Sequence, residues 1–286
     1  MDKKVAWQIH YNERFFEMLK IAAEEGFEYV AVGFGDARFL QEDIREDKIF
    51  EIKKALDENN VKCIQTHAPY YDLRISAEIC DEKFELALLR SIKATQILGA
   101  EICAVHPRGY YEGGVGDEII EESFKWNKIN FEPLVREAEK CGCRVGIENL
   151  PIFPGWDKSF YSCFPKEHAR LIDCYNSPAV CGVWDFGHAH LTGMRALDKN
   201  PKDLLLEVGS RIKGTHVHNN FLTMDAHLAP PLGSINWKEA LGALKSTGYD
   251  GNLTLEVNEP EMAARPIIRY LYESACELYD MMNKND

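Results

Sequence analysis

No stretch of this chain is apolar for the roughly 20 consecutive residues a membrane-spanning helix needs. The opening MDKKVAWQIHYNERFF has no signal-peptide core before it enters a strand-like segment. A cytoplasmic protein is the expectation. Nor is there a CxxC pair. The nine cysteines are scattered, and the one close pair is Cys141 and Cys143 in KCGCRVG. That excludes zinc-finger spacing and points to buried, reduced thiols in a reducing compartment. Basic residues are in deficit: 33 Lys and Arg stand against 46 Asp and Glu, for a net charge of −13. Such a chain repels polyanions at long range, and no dense basic run is visible that could neutralise phosphates. Nucleic acid is disfavoured as a partner, although a local basic patch stays open. Finally, no GxGxxG follows the first strand-like run and no GxxxxGK(S/T) occurs. This counts against dinucleotide and P-loop folds.

What is present is an alternation. The 286 residues are 45% hydrophobic and 28% charged, ordinary for a globular protein and ample for a large core. Short apolar runs at 5–10, 29–33, 62–67, 101–106, 144–148, 180–185, 212–218 and 253–257 read as strands. Amphipathic stretches at 14–25, 46–59, 81–98, 127–140, 166–175, 201–209, 237–247 and 266–282 read as helices. Asn236 can cap the helix that begins at Trp237, and KCGC and STGYDG put a glycine just past a helix end. Strands joined by helical crossovers make a parallel sheet. Eight units in this length predict a single (β/α)8 TIM barrel over residues 1–286, with a doubly wound open sheet as the alternative. The longest loops, 107–126, 149–165 and 219–235, all follow strands. In a barrel such loops form the active-site face.

The strand ends carry the chemistry. The third run ends at His67, the fourth at His106, the fifth at Glu148 and the sixth at Asp185, with His188 just beyond. The seventh carries His216 and His218, and the eighth carries Glu256. Six consecutive strands thus deliver His, Asp or Glu to one end of the barrel. Such groups are costly to bury without partners, and crowded carboxylates repel. A divalent cation resolves both problems, and N/O ligands without sulfur suit Zn, Mn, Fe or Co. Glu148, Asp185, His216 and Glu256 form the minimal site. His67 and His106 could complete a second one with Glu148 bridging. His188, Asp225 and His227 could form a third, giving one to three ions per chain. Either His216 or His218 could be the ligand from its strand, the other then touching substrate. Asp185 could alternatively cap the following turn. His10 ends the first strand and could line the pocket, whereas His168 and His190 read as surface or structural residues.

These motifs, THAPYYDL, VHPRG, IENLP, DFGHAH, THVHNN…DAHLAPPLGSINW and LTLEV, resemble the xylose isomerase-like barrel superfamily over nearly the whole chain. That superfamily joins family-2 AP endonucleases of the endonuclease IV type with sugar isomerases and epimerases. In the epimerases, the resemblance implies one metal on Glu148, Asp185, His216 and Glu256. In the endonucleases, it implies a three-zinc cluster that adds His67, His106, His188, Asp225 and His227. Ketose 3-epimerases place a further substrate-contacting Glu where this chain has Pro154. They also carry an acid where it has Asn219, and an arginine where NNFLTMD has none.

The resemblance and the residues together imply a metal-dependent isomerase or epimerase of a small sugar, sugar phosphate or polyol. Glu148 and Glu256 would transfer protons on opposite faces of the substrate through an enediolate. His188, His218 and Arg108 would orient substrate groups, and Trp7, Tyr70, Trp156 and Phe186 could wall the pocket. The alternatives are a zinc phosphodiesterase of the AP endonuclease type and a non-catalytic barrel that binds metal or sugar. The expected partner is a small carbohydrate, without a membrane, and a homo-oligomer stays open.

Overall fold

The computed structural model describes residues 3–35, 40, 46–70, 81–108, 110–111, 117–152, 159–258 and 265–284. Eight strands make one parallel sheet: β1 (Val5–His10), β2 (Tyr29–Gly33), β3 (Lys62–His67), β4 (Ile102–Val105), β5 (Arg144–Glu148), β6 (Val180–Asp185), β7 (Ile212–His216) and β8 (Leu253–Leu255). Their order is β8-β1-β2-β3-β4-β5-β6-β7. The ring is closed by Val217, just past β7, which bridges in parallel to Leu255. Its N–H donates to the Thr254 carbonyl at 2.8 Å, and Glu256 N–H donates back to it at 3.1 Å. The result is a (β/α)8 TIM barrel.

The helices are α1 (Phe15–Glu25), α2 (Glu46–Glu58), α3 (Glu82–Leu98), α4 (Asp117–Cys141), α5 (Pro165–Asp173), α6 (Phe186–Leu191), α7 (Pro201–Val208), α8 (Trp237–Ser246) and α9 (Arg265–Asn283). Local signals set their ends. Asn236 accepts from Glu239 N–H at 3.3 Å and caps α8. Gly142 and Gly248 follow α4 and α8 with φ of 69° and 83°, a left-handed turn that a side chain would strain. Among the described residues, no helix is long and apolar enough to cross a membrane.

Two helices depart from the sequence reading. The α4 helix begins at Asp117, ten residues before the expected start at 127. Its inner face is carried there by Ser123 and Asn127, polar residues that are buried and therefore break the apolar periodicity. Asn127 Oδ1 accepts from Arg108 N–H at 2.6 Å, and its amide donates to the Arg108 and Ser123 carbonyls. The short α6 was not expected either. It starts because Asp185 Oδ1 accepts from His188 N–H at 2.6 Å, an N-cap at the very end of β6.

Side chains two apart on a strand share a face. Val5, Trp7 and Ile9 of β1 join Phe15, Met18 and Leu19 of α1 in the main core. Ile102 and Ala104 of β4 meet Cys181 and Val183 of β6 in a smaller cluster inside the ring. Gly146 of β5 lies between them: a Cβ there would fall 2.5 Å from Val183 Cγ2 and 2.7 Å from Ile102 Cγ2. Continuing each inner face by two residues leads from Ala104 to His106, from Gly146 to Glu148 and from Val183 to Asp185. The interior is thus apolar and small below, and polar at its upper rim.

Candidate metal centre

The rim gathers the residues expected at the strand ends. Glu148 is fully buried and is surrounded by four imidazoles. His67 Nε2 and His106 Nε2 each lie 3.2 Å from Glu148 Oε2, while His216 Nδ1 and His188 Nδ1 lie 3.1 Å and 3.3 Å from Oε1. His216 Nδ1 is also 3.1 Å from Glu256 Oε2 and 4.0 Å from Asp185 Oδ2. One atom from each of Glu148, Asp185, His216 and Glu256 falls within 4.8 Å of the others. His67, Glu148 and His216 form a second such group. The third comprises His188, His218, Asp225 and His227. Asp225 Oδ2 is 3.1 Å from both His188 Nε2 and His227 Nε2, and the His218 and His227 rings stack at 3.8 Å.

Backbone carbonyls orient three of these rings. His67 Nδ1 faces Ala68 O at 2.7 Å, His188 Nδ1 faces Asn149 O at 2.8 Å, and His227 Nδ1 faces Glu256 O at 2.8 Å. A carbonyl only accepts, so each Nδ1 carries the hydrogen and Nε2 is turned toward a carboxylate. A lone pair beside a carboxylate requires either a proton or a cation between them. The same carboxylates that would hold a cation also favour the charged form of His188 and His216. Burial pushes both down, but Asp185 and Asp225 around His188, and Glu148 and Glu256 around His216, hold them well above the ordinary histidine value. Burial pushes Glu148 up, and His216 and His106 more than reverse it, keeping the carboxyl well below the usual range.

The donor set fits a divalent cation on two counts. It is all nitrogen and oxygen, and several buried atoms make no hydrogen bond: Glu148 Oε1, His216 Nδ1, His218 Nδ1 and Asp225 Oδ1. A cavity of about 300 Å³ opens above them, lined by His10, His67, Tyr70, His106, Glu148, His188, Asp225, His227 and Glu256, with Leu150, Pro151 and Val257 as its apolar part. Tyr70 stacks on His106 at 5.6 Å.

Other expected residues lie elsewhere. Trp7 is fully buried in the main core, 6.3 Å from the Phe27 ring. Phe186 packs edge-on against Trp237. Arg108 is 5% exposed and its guanidinium pairs with Glu85 at 2.6 Å. None of the three lines this cavity. Trp156 and Pro154 fall outside the described residues. His168 and His190 are buried and bonded to Ser162 and Asn220, which makes them structural, not surface, residues. His216 and His218 fall in different candidate groups, although His218 Nε2 also lies 3.0 Å from Asp185 Oδ2.

Three supporting residues were missed. Gln8 Nε2 donates to Glu256 Oε1 at 2.6 Å, and the Gln65 amide meets His216 Nε2 at 2.7 Å. Asn149 accepts from Asp185 N–H at 2.7 Å and donates to Asp185 O at 2.9 Å, tying β5 to β6. The signal for the glutamines was available. Each is a polar residue inside an apolar strand, two positions before an end histidine.

A parallel barrel with acidic and imidazole groups converging on its C-terminal rim defines the class: a TIM barrel with a candidate metal centre. The chain belongs to the xylose isomerase-like TIM barrel family, whose sequence model matches residues 19–274. An uncharacterized Methanocaldococcus jannaschii protein is 30% identical over 201 residues, 68% of this chain and 64% of its own length. The chain thus spans somewhat less than two thirds of that relative. Inosose isomerase of Halalkalibacterium halodurans is 21% identical over 262 residues, 87% of this chain and 85% of that protein. Among solved structures, a D-tagatose 3-epimerase-like protein superposes with a TM-score of 0.71 at 21% identity, covering 96% of this chain and 98% of the other. The 3-keto-D-glucoside 4-epimerase of E. coli gives 0.72 at 16% identity over 95% and 98%. At these identities the structural likeness is one of fold.

Proposed function

We propose that the protein is a divalent-metal-dependent isomerase or epimerase of a small sugar or polyol, working by proton transfer through an enediolate. The observation that carries this reading is the pair Glu148 and Glu256. Both reach His216 Nδ1 at 3.1 Å from different strands, and both line the cavity. The epimerases and the inosose isomerase it resembles add support at the level of family.

The candidate holders of the ion are Glu148, Asp185, His216 and Glu256. A bound divalent cation would polarise a substrate carbonyl and stabilise negative charge on the neighbouring oxygen. One carboxylate of the Glu148–Glu256 pair takes the proton from the carbon next to that carbonyl, and the other returns one. Return to the opposite face of the same carbon gives an epimer. Return to the neighbouring carbon gives an isomer. His188 is held by Asn149 O and, with its partner Asp225, lines the cavity, where the pair orients a hydroxyl. Leu150, Pro151 and Val257 cover an apolar face of the ring.

A second reading, a phosphodiesterase of the AP endonuclease type, is favoured by the group His188, His218, Asp225 and His227. Solvent exchange separates the two. With Mn²⁺ or Co²⁺ in D₂O, ketoses and inosose-like polyols are expected to gain carbon-bound deuterium by NMR, and Glu148→Gln and Glu256→Gln to lose it. Full exchange in both variants removes the catalytic assignment. Cleavage of abasic-site DNA without any exchange would establish the second reading instead.

A further inference from the structure

A second cavity, of about 780 Å³, opens at the opposite end of the barrel, where the strands begin. Alternate strands bring cations to it: Lys4 just before β1, Lys62 on β3, Arg144 on β5 and Lys213 on β7. Lys53 of α2 is a fifth. Arg144 shares the inner face of β5 with Gly146 and Glu148. The strand that ends in a carboxylate above therefore begins with a guanidinium below. Three acids also line the cavity, and two are spoken for: Asp57 pairs with Lys53, and Glu101 with Arg144 at 3.5 Å. Lys4 donates to the Asp250 carbonyl at 2.8 Å, and Lys62 lies 5.9 Å from the Tyr29 ring centre. Among the described residues, no carboxylate pairs with Lys4, Lys62 or Lys213, and Asp250 is the one acid left over.

Helix C-termini draw cations, and the last residues of α2 and α3 reach this mouth. That effect accounts for some of the lysines but not for the donors beneath them. Thr254 is 1% exposed, lines the cavity, and its hydroxyl has no hydrogen-bond partner. Asn252 Nδ2, also on the lining, is buried and equally unpartnered. Buried polar groups are normally paired, so two orphans below a cationic rim point to a missing polar guest.

We propose that this lower mouth binds a small organic dianion, a phosphate monoester or a dicarboxylate. Lys4, Lys62 and Lys213 hold its charge, and the Thr254 hydroxyl and Asn252 amide bind its polar body. Three unneutralised cations less the Asp250 carboxylate leave two positive charges, the complement of a dianion. The cavity volume lies within the range of about 300–1,000 Å³ usual for small-molecule sites. The site is independent of the chemistry assigned to the upper rim, at the other end of the strands.

Calorimetric titration of the full chain at low ionic strength tests this, using glycerol 3-phosphate, succinate and, as a neutral control, glycerol. One dianion is expected to bind per chain while glycerol gives no heat. Binding should weaken by at least about tenfold in the double variant Lys62→Gln/Lys213→Gln, and further in about 1 M salt. Tighter binding of glycerol 3-phosphate identifies a phosphate reader, and equal binding a reader of charge alone. Both lysines are exposed, so the variant should fold, and its melting temperature without ligand verifies that. Absence of heat with both dianions overturns the proposal. So does unchanged affinity in the double variant, which would place the anion at the upper rim.

Discussion

Glu148 Oε1 lies 3.1 Å from His216 Nδ1, yet neither atom makes a hydrogen bond. Two buried polar atoms at that separation need something shared between them, and a cation is the simplest guest. The chain is therefore expected to carry metal when purified without chelator. Mn²⁺, Co²⁺ or Zn²⁺ should raise its melting temperature, and a chelator should lower it. At a hundredfold excess over Kd the stabilisation is about 2.7 kcal/mol. Elemental analysis and thermal melts check both. No bound metal, together with no shift from any of the three ions, would sink the metal centre.

The strand ends were readable because the rule that places them is local. Alternation carries each inner face upward by two residues, so a His, Asp or Glu at the end of an apolar run must reach the rim. His67, Glu148, Asp185 and His216 follow from that rule alone. What escaped depends on register between strands. Asn149 meets Asp185 across 36 residues, and Gln65 meets His216 across 151. No local pattern encodes such a distance in sequence. The ladder also skips Ile64 of β3, between the pairs Val30–Cys63 and Ala31–Gln65, and Lys213 of β7, between the pairs Gly182–Ile212 and Val183–Gly214. Strand parity is reset at such points, and apolar patterning does not mark them. The early start of α4 was hidden for another reason: Asn127 is buried to hold the Arg108 backbone, not to fill the core.

Gln65 should act on metal affinity rather than on fold. An ion on His216 Nδ1 requires the hydrogen on Nε2; Gln65 Nε2 lies 2.7 Å from that atom, and a half-turn of the amide would bring its oxygen there to accept the hydrogen. Gln65→Leu removes the acceptor and is expected to weaken Co²⁺ binding by about 10–100-fold. Gln65→Glu keeps an acceptor there and should restore most of it. Calorimetry with Co²⁺ measures both. Equal affinity for the wild type and the leucine variant would show that Gln65 merely fills space.

His168 gives a pH signature separable from the metal centre. Its Nδ1–H donates to Ser162 Oγ at 2.7 Å, and Ser162 Oγ–H donates to the Glu148 carbonyl at 3.1 Å. Its Nε2 is buried with no partner. Burial therefore pulls the imidazole down to about 3. The unfolded chain, with a histidine near ~6.5, takes up that proton first. Stability from this site is intact above that value and falls as the pH drops toward 3, by roughly 2 kcal/mol at pH 5. The difference in unfolding free energy between wild type and His168→Gln should shrink by that amount between pH 7.5 and 5. Parallel stability curves would refute the assignment.

Gly187 sets the position of His218. A Cβ at Gly187 would stand 1.9 Å from His218 Cε1, far inside any real contact. The ring itself is fully buried, with Nε2 3.0 Å from Asp185 Oδ2 and its face against His227. It has no open space to retreat into without leaving that stack. Gly187→Ala should therefore cost about 1–3 kcal/mol, the usual penalty for overpacking. It should also displace His218 from the group it shares with His188, Asp225 and His227, while leaving Glu148, Asp185, His216 and Glu256 in place. Metal counted per chain then tells the groups apart. If the upper rim holds more than one ion, the alanine variant should lose one and keep the other. If it holds a single ion on the four strand-end residues, stoichiometry should not change and only the melting temperature should fall. Loss of all metal from a folded Gly187→Ala protein would mean that the groups are not separable, and that His218 belongs to the same centre as His216.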